Sequence, residues 1–431
     1  MDFPGKRQLQ GQALYITTLF LSTGFLLGPA RAQTPQPEPL PIARTISISQ
    51  YGAAGDGTTD DTKSLVAAIA AAAKSGAELQ LGDTTYLLKE TLQLPRAEHP
   101  FAIVGGENTR LLFAPDHPLD SGIVIASASG VELESFTLHG SGPGLDHAIS
   151  ISGSTNIRLD HLQIESIHGT GNLALSAIQL ATDDQVWITD STFKDIGGVA
   201  GKPSFVITNY YRAHSEHIYI DHNQMSGNTA SIVIGMFDTD HSVIEDNTID
   251  GGNSCVAPCN NNGYGILFYR MDSHGFPPGH APKIVDDAVS GNQISNTAGS
   301  GIYLAGVAGA VVSDNRITRS MLRMADTSLP GCAIALGGVD NAHVFDNIVR
   351  SDGKGGICLA TTKDVLIEGN RIYDSSRWGI NLRVAQVRTT IRNNAIDGAP
   401  IGLLLARDPI STIVENNVLT RVKQPIIGNM H

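Results

Sequence analysis

Side chains capable of acid–base chemistry are concentrated between residues 180 and 275 of this 431-residue sequence. They follow short apolar stretches at comparable positions: Asp183, Asp184, Lys202, Tyr211, Arg212, His214, Asp238, Asp240, Tyr269, Arg270, Asp272 and His274. Histidine, tyrosine and carboxylates can transfer protons, and a guanidinium binds a carboxylate through two parallel hydrogen bonds. Comparable positions later in the chain hold small residues such as Ala305-Gly306 and Gly337-Gly338. This contrast predicts one site in the middle of the chain.

The residue types divide these side chains into three roles. The candidate catalytic residues are Tyr211, His214, Asp238, Asp240 and His274. The candidate substrate-binding residues are Lys202, Arg212, Tyr269, Arg270 and Asp272, of which the arginines suit a carboxylate-bearing ligand. Adjacent carboxylates suit an oxygen-rich calcium site, so Asp183 and Asp184 are the candidate calcium ligands, and no other cofactor is expected.

An internal repeat must position these residues. One asparagine recurs at positions 223, 247, 292, 315, 347, 370, 394 and 417, each close to a short apolar strand pattern such as Ile302-Tyr303-Leu304. A base period of 23 or 24 residues with short alternating strands is typical of a solenoid, in which each repeat contacts only its neighbours. The leucine-rich repeat pattern is absent. We expect each asparagine to lie at a turn in a left-handed conformation and to bond to its counterpart in the next repeat.

The N-terminus reads as an export signal. Lys6 and Arg7 precede an apolar run, and Ala30-Arg31-Ala32 ends it, which predicts a signal peptide over residues 1–32 and a secreted or periplasmic protein. Residues 33–43 include the proline-rich TPQPEPLP and predict a spacer. No later segment is apolar enough for a membrane span, so none is expected after cleavage.

Charge limits the partners of the chain. The net charge is −13, and it becomes −15 when residues 1–32 are removed. An acidic surface argues against nucleic acid, and an anionic ligand would need local basic groups or a bound cation. Composition does not indicate the oligomeric state.

The start of the mature chain carries a recognisable motif. The run YGAAGDGTTDD over Tyr51–Asp61 precedes a helical pattern near residues 60–74, with Asp60 or Thr59 as N-cap, Gly76 as its end, and an apolar face that includes Leu65 and Val66. With LQLGDTTYLL and IVGGENTRLLF, this run resembles the opening of the pectate-lyase superfamily. The resemblance implies an all-β, single-stranded right-handed parallel β-helix over residues 44–431, with a cap and first coils over 44–115 and a short capping helix.

The resemblance does not determine the reaction. The G-H-G and R-x-K elements of polygalacturonase-like hydrolases and the Y-G-x-D-P-H element of alginate epimerases are absent, although Asp183-Asp184 is present. We expect a protein that acts on a uronate-containing polysaccharide by lyase or C5-epimerase chemistry. The alternatives are a glycoside hydrolase with paired aspartates and a non-catalytic carbohydrate-binding β-helix.

Four cysteines in an exported chain suggest two disulfides. Cys255 and Cys259 are close enough for a local disulfide, whereas Cys332 and Cys358 are separated by about one coil plus three residues. The second pairing is therefore left open.

Overall fold

The computed structural model describes residues 33–96, 99–141, 144–169, 175–197, 204–209, 213–251, 263–270, 284–322, 331–350, 353–406 and 411–428. Within these ranges the chain forms a parallel β-solenoid of about 12 turns, each called a coil below. The predicted parallel β-helix with one N-terminal helix is confirmed. The predicted signal peptide, together with Lys202, Tyr211, Arg212, Cys255, Cys259, Asp272 and His274, lies outside the described residues, and the domain boundaries stay predictions.

Three parallel sheets run along the solenoid. Sheet 1 contains Thr45–Ser47, Glu78–Gln80, Phe101–Val104, Ser129–Glu134, Thr155–Asp160, Asp184–Thr189, Ser215–Asp221, Val243–Glu245, Ala288–Ser290, Val311–Ser313, His343–Phe345, Lys363–Glu368, Val387–Arg392 and Ile413–Glu415, with Thr239–Asp240 paired beside it. Sheet 2 contains Asp56–Asp60, Thr85–Leu88, Arg110–Phe113, Thr137–Gly140, Gln163–His168, Thr192–Gly197, Gln224–Asn228, Thr248–Gly251, Gln293–Ser295, Arg316–Thr318, Ile348–Arg350, Arg371–Tyr373, Ala395–Asp397 and Val418–Thr420. Sheet 3 contains Leu92–Leu94, Leu119–Ala126, Leu145–Ser152, Leu175–Ala181, Ser204–Asn209, Ile232–Phe237, Tyr264–Tyr269, Ile302–Ala305, Cys332–Gly337, Gly355–Ala360, Trp378–Leu382, Ile401–Leu404 and Gln424–Ile427. A further pair joins Ile284–Val285 and Val307–Ala308.

Alternation along each strand separates the core from the surface. In the strand Ile302–Ala305, Ile302 and Leu304 are buried in the core while Tyr303 lies between them on the outward face. The same inward positions in neighbouring coils are filled by Ile and Leu, so identical side-chain types stack along the axis. A single coil has too little apolar surface to be stable alone, and its burial comes from the coils on either side.

The asparagine ladder is confirmed at the corner between sheets 1 and 2. Each Nδ2 donates to the Oδ1 of the next asparagine at 2.9–3.0 Å, from Asn223 to Asn417. The expectation of a left-handed backbone at the asparagine itself was wrong. The residue before it has positive φ, for example 55° at His222 and 56° at Asp314. That residue makes the bend, and the asparagine side chain that follows it is buried, with its amide hydrogen-bonded inside the coil.

The one α-helix among the described residues, Thr62–Ser75, packs Leu65, Ile69, Ala72 and Ala73 on the first coils and ends at Gly76 in a left-handed conformation (φ 61°). Val66 was predicted to lie on the buried face but is exposed. The N-cap position belongs to Asp61, whose carboxylate instead accepts from the backbone N–H groups of Ala54 and Gly55. Neither predicted cap, Asp60 or Thr59, occupies the N-cap position, although Asp60 still accepts from Thr62 N at 3.0 Å. The GDGTTDD motif therefore fixes the turn before the helix, which is a structural role.

A disulfide joins Cys332 and Cys358 across the outward face of sheet 3, with a Cα–Cα distance of 5.7 Å. The residue directly opposite Cys332 in the next coil is Gly355, and a Cβ there would lie 2.7 Å from the Cys332 sulfur. The disulfide therefore runs diagonally, which explains the offset in the sequence spacing. Trp378 Nε1 lies 3.1 and 3.3 Å from the two sulfur atoms.

Among the described residues, no helix is both long and apolar enough to cross a membrane.

Candidate functional site

The predicted site residues that the structure describes lie where strands of sheet 3 end and strands of sheet 1 begin, a region called the 3–1 corner below. These seven are Asp183, Asp184, His214, Asp238, Asp240, Tyr269 and Arg270. They belong to four successive coils, which backbone hydrogen bonds join, such as Asp238 N to Tyr269 O at 3.3 Å. Because parallel coils repeat every 4.7–4.9 Å or so, this stacking brings side chains distant in sequence onto one strip of surface.

His214 is held beside two carboxylates. Its Nε2 lies 3.1 Å from Glu216 Oε1 and 3.6 Å from Asp240 Oδ2, and the side chain is about half exposed. Register explains the contact, because Glu216 pairs with Asp240 in the next coil and with Asp184 in the preceding one. Asp240 is itself fixed, since its Oδ1 accepts from Val285 N at 2.8 Å. The result is a solvent-accessible imidazole with acidic neighbours that can orient it.

Arg270 and Asp238 form an ion pair between adjacent coils. The distance from Arg270 Nε to Asp238 Oδ1 is 3.3 Å, and only 17% and 13% of the two side chains are exposed. Gly306, in the next coil, allows this position, because a Cβ on Gly306 would lie 2.6 Å from the Arg270 Cβ. The small residues that follow the site in sequence thus leave room for the arginine.

An aromatic and aliphatic cluster covers the adjoining outward face of sheet 3. Its members are Phe205, Ile232, Phe237, Tyr264 and Leu267, with Tyr303 packed against them. Ring centroids are 5.8 Å apart for Phe205 and Phe237 and 5.3 Å apart for Tyr264 and Tyr303. Burial, with the nearby Tyr269, raises the pKa of Tyr303 to about 12, so this phenol stays protonated. Tyr269 is 37% exposed and marks the edge of the cluster.

Asp183 and Asp184, the candidate calcium ligands, have different surroundings. The Asp183 side chain is buried, and its two oxygens accept from Ser154 N at 2.8 Å and Ala181 N at 2.6 Å. Burial raises its pKa to about 6. Asp184 Oδ1 instead lies 2.8 Å from His217 Nδ1. Calcium binding by this pair stays a prediction, and the described contacts give Asp183 a role in the turn.

Three residues of the 3–1 corner were missed from the sequence: Glu216, His217 and His241. The rings of His217 and His241 stack with centroids 5.4 Å apart, and His241 Nδ1 lies 3.8 Å from Asp286 Oδ2. Glu216 and His217 lie within the strand Ser215–Asp221, and His241 directly follows the strand Thr239–Asp240. The sequence prediction considered only residues that follow strands of sheet 3. Alignment of the sheet 1 strands by their asparagines would have revealed this column.

Comparison with known proteins supports the fold. A family described as the right handed beta helix region matches residues 121–326 and 283–428. No curated protein gives a significant match by sequence. One similar solved structure is a surface adhesin of Streptococcus pneumoniae, with TM-score 0.58, 16% identity, and coverage of 89% of this chain and 93% of that chain.

Two further solved structures are similar in fold. Tailspike protein 3 of bacteriophage CBA120 has TM-score 0.67 and 12% identity over 90% of this chain, which spans only 60% of that protein. The A-module of a mannuronan C-5 epimerase from Azotobacter vinelandii has TM-score 0.57 and 13% identity, with coverage of 89% of this chain and 99% of that chain. At these identities the likeness concerns the fold. Because the family match spans more than half of the chain and agrees with the observed coils, the chain belongs to the family of right-handed β-helix regions.

Proposed function

We propose that this protein acts on a uronate-containing polysaccharide along the 3–1 corner, by β-elimination or C5-epimerisation. One observation carries the proposal: an accessible imidazole with two carboxylate neighbours lies two coils from a guanidinium on the same strip. Two coil spacings amount to roughly 9–10 Å along the solenoid axis, a distance suited to contacts with a polymer that lies along the corner. The similar mannuronan C-5 epimerase supports the same class of substrate.

Both reactions begin with removal of the proton on C5, next to the uronate carboxylate. His214 is the candidate base, and Glu216 and Asp240 hold its ring. The electron pair left on C5 moves into the carboxylate, whose added charge Arg270 would stabilise. In elimination the C4–O4 bond then breaks, and O4 leaves with a proton taken from the protonated His214 or from water. In epimerisation C5 receives a proton from the opposite face, which is the role proposed for Tyr211 or His274.

A non-catalytic carbohydrate-binding function is the second candidate. The Asp238–Arg270 ion pair favours it, because the carboxylate offsets part of the charge that a substrate would meet. Hydrolysis by Asp238 and Asp240 is the other catalytic alternative.

Product analysis separates these functions. The purified protein would be incubated with polyuronates and a neutral glucan, in H₂O and in D₂O. Ultraviolet absorbance from a C4–C5 double bond would identify a lyase, and deuterium at C5 without chain cleavage would identify an epimerase. Reducing ends without absorbance would mean a hydrolase, and retention on a polyuronate without products would mean a binding protein. Action on the neutral glucan alone would contradict the proposal.

Two arginine variants and a matched control test the position of the site. Arg270→Ala should weaken turnover or binding of the polyuronate about 10- to 150-fold, the equivalent of ~1.5–3 kcal/mol for a lost charged hydrogen bond. Arg212→Ala, predicted from sequence to bind substrate as well, should act in the same direction. Arg392→Ala is the control, because Arg392 pairs with Glu368 at 2.9 Å through both Nε and Nη2, several coils away. Full activity in Arg270→Ala, with an unchanged melting curve, would place the site elsewhere.

Export is part of the proposal. The predicted signal peptide and the Cys332–Cys358 disulfide both fit an oxidising compartment outside the cytoplasm.

A further inference from the structure

A cavity lies on the outward face of sheet 1, away from the 3–1 corner. Residues 34–38 cross this face, where Pro35 O accepts from Trp187 Nε1 at 2.8 Å and Glu38 O accepts from Arg158 Nη2. Thr34 N donates to the Glu245 carboxylate at the far end of the crossing. A cavity of about 290 Å³ remains between this segment and the sheet. It is lined by Thr34, Gln36, Pro37, Glu132, Arg158, Asp160, Trp187, Thr189, Asp190, Asp221 and His222.

Three aspartates converge on one side of this cavity. Asp160, Thr189 and Asp221 occupy the same position in three successive coils, and Asp190 follows Thr189 directly. Asp190 is therefore flanked by one aspartate in the coil before it and one in the coil after it. Ligand atoms of Asp160, His161 and Asp190 all lie within 4.8 Å of one another. Carboxylates at this separation repel one another unless a positive charge lies between them.

Asp221 provides independent support for a ligand. Only 5% of the residue is exposed, its Oδ2 lies 3.1 Å from His222 Nδ1, and its Oδ1 has no hydrogen-bond partner among the described residues. A buried carboxylate oxygen without a donor costs free energy, since it has lost water and gained nothing in exchange. A bound cation would offset this loss directly.

Lysine and arginine do not neutralise these aspartates, whose basic neighbours are imidazoles that carry charge only when protonated. Among the described residues, neither lysine nor arginine forms an ion pair with Asp160, Asp190 or Asp221. The one arginine in the cavity, Arg158, donates to Glu38 O and to Asn156 Oδ1, and its electrostatic attraction is to Glu132 and Glu38. The bases next to the aspartates are imidazoles, His161 at 2.9 Å from Asp160 and His222 beside Asp221.

We propose that Asp160, Asp190 and His161, whose ligand atoms lie close together, bind a divalent cation at the edge of the cavity beneath residues 34–38, with the buried carboxylate of Asp221 beside them adding negative charge. Carboxylate oxygens are preferred ligands of Ca²⁺ and Mn²⁺, and a single imidazole is compatible with Mn²⁺ in particular. The site is separate from Asp183 and Asp184, and it does not depend on the proposed reaction. Its location between the sheet and the N-terminal segment would also link that segment to three coils.

Calorimetric titration tests the site. Protein freed of metal with EDTA would be titrated with CaCl₂ and, separately, with MnCl₂. We expect one site for at least one of these ions and a higher melting temperature in its presence. Asp190→Asn should weaken binding by about 10- to 100-fold or more, since a change in a metal's outer shell alone has that effect.

Two further variants sharpen the result. Asp221→Asn should weaken cation binding, yet in EDTA it should be at least as stable as the unmodified protein, because a buried carboxylate with one oxygen lacking a donor has been removed. Asp184→Asn should bind the cation normally. The proposal fails if neither ion binds, if Asp190→Asn and Asp221→Asn bind it as tightly as the unmodified protein, or if Asp184→Asn is the variant that loses it.

Discussion

Asp183 is a buried carboxylate whose hydrogen bonds stabilise a turn. Both of its oxygens accept backbone N–H groups, and its side chain is 2% exposed. Burial raises its pKa from 3.8 to about 6 and outweighs the two hydrogen bonds, which lower the pKa. The folded protein therefore holds this proton more tightly than the unfolded chain does.

This pKa predicts a pH dependence of stability. Between about pH 4 and pH 6 the folded state keeps the proton while the unfolded state has lost it, so the free energy of unfolding should fall as pH rises through this window. The fall should be on the order of 2–3 kcal/mol and should end above pH 6 or so. Asp183→Asn cannot ionise, and its stability should decline less over the same range. Denaturant unfolding at pH 4, 5, 6 and 7 measures the difference.

Other buried carboxylates do not change the difference in pH dependence between the unmodified protein and Asp183→Asn. Asp221, whose pKa burial also raises to about 6, contributes the same slope to both proteins and cancels in the difference. In the Asp183→Asn variant the new amide would offer an N–H group where Ala181 N needs an acceptor, which lowers stability equally at each pH. Parallel curves for the two proteins would show that Asp183 does not titrate in this window.

Single residues of the site were predictable only where residues that follow the same kind of strand in consecutive coils also lie close together in the structure. His214 and Asp240 were chosen from sequence and do lie together, because both follow the sheet 3 strands of consecutive coils. Glu216 was missed, although it is nearer to His214, because it lies inside a strand of sheet 1. Asp183 and Asp184 are adjacent in sequence, yet alternation sends one inward to the turn and the other toward His217.

At the scale of elements, the asparagine ladder connects coils that differ greatly in length. Asn315 is fully buried, and its Oδ1 accepts from both N and Nδ2 of Asn292 at 3.0 Å. Its own Nδ2 donates to Asn347 Oδ1 and to Val289 O, both at 2.9 Å. The side chain thus satisfies polar groups in the coils before and after its own.

Asn315→Ala should therefore destabilise the protein by about 2–5 kcal/mol, since it leaves more than one buried polar group without a partner. Asn417→Ala is the matched control. Asn417 is the last of the series and is only half-buried, so its removal should cost clearly less. Thermal and denaturant unfolding of the two variants would be compared. Equal losses would indicate that the ladder contributes through each local turn rather than through contacts between coils.

The elements themselves were largely predictable from the sequence. The period of 23 or 24 residues and the Ile-x-Leu patterns predicted the solenoid because each coil must present the same inward face. The N-cap of the helix was misplaced by one residue, since Asp61 is used to bind the turn over Ala54 and Gly55 instead. Local capping rules do not include such tertiary contacts.

At the scale of the whole described unit, the contact between the proline-rich segment and sheet 1 could not be predicted. The segment was expected to be a spacer, yet Pro35 lies against Trp187, 152 residues away in sequence. Proline fixes an extended backbone with free carbonyl groups, and such a segment can lie across side chains without pairing as a strand. Sequence periodicity contains no signal for a contact of this kind.

Deletion of residues 33–41 should expose Trp187. The indole is 8% exposed and stacks on Tyr219 with ring centroids 5.3 Å apart. The sequence contains two tryptophans, so the measurement would use Trp378→Phe protein with and without the deletion. We expect red-shifted emission and stronger acrylamide quenching after deletion, with an unchanged circular dichroism spectrum. Identical emission in both proteins would mean that the segment does not cover Trp187 in solution.

The ladder also has a consequence for how such a protein can diverge. Asn247 and Asn292 are 45 residues apart and Asn292 and Asn315 only 23, yet the two Nδ2–Oδ1 distances are both 3.0 Å. Extra residues at a corner therefore leave the contacts between coils unchanged, whereas one extra residue within a strand would exchange its inward and outward faces. Lineages can lengthen, shorten or replace the corner segments while inheriting the scaffold intact. Ligand preference in this architecture can then change by insertion and deletion at the corners, while the contacts that stabilise the stacked coils stay the same.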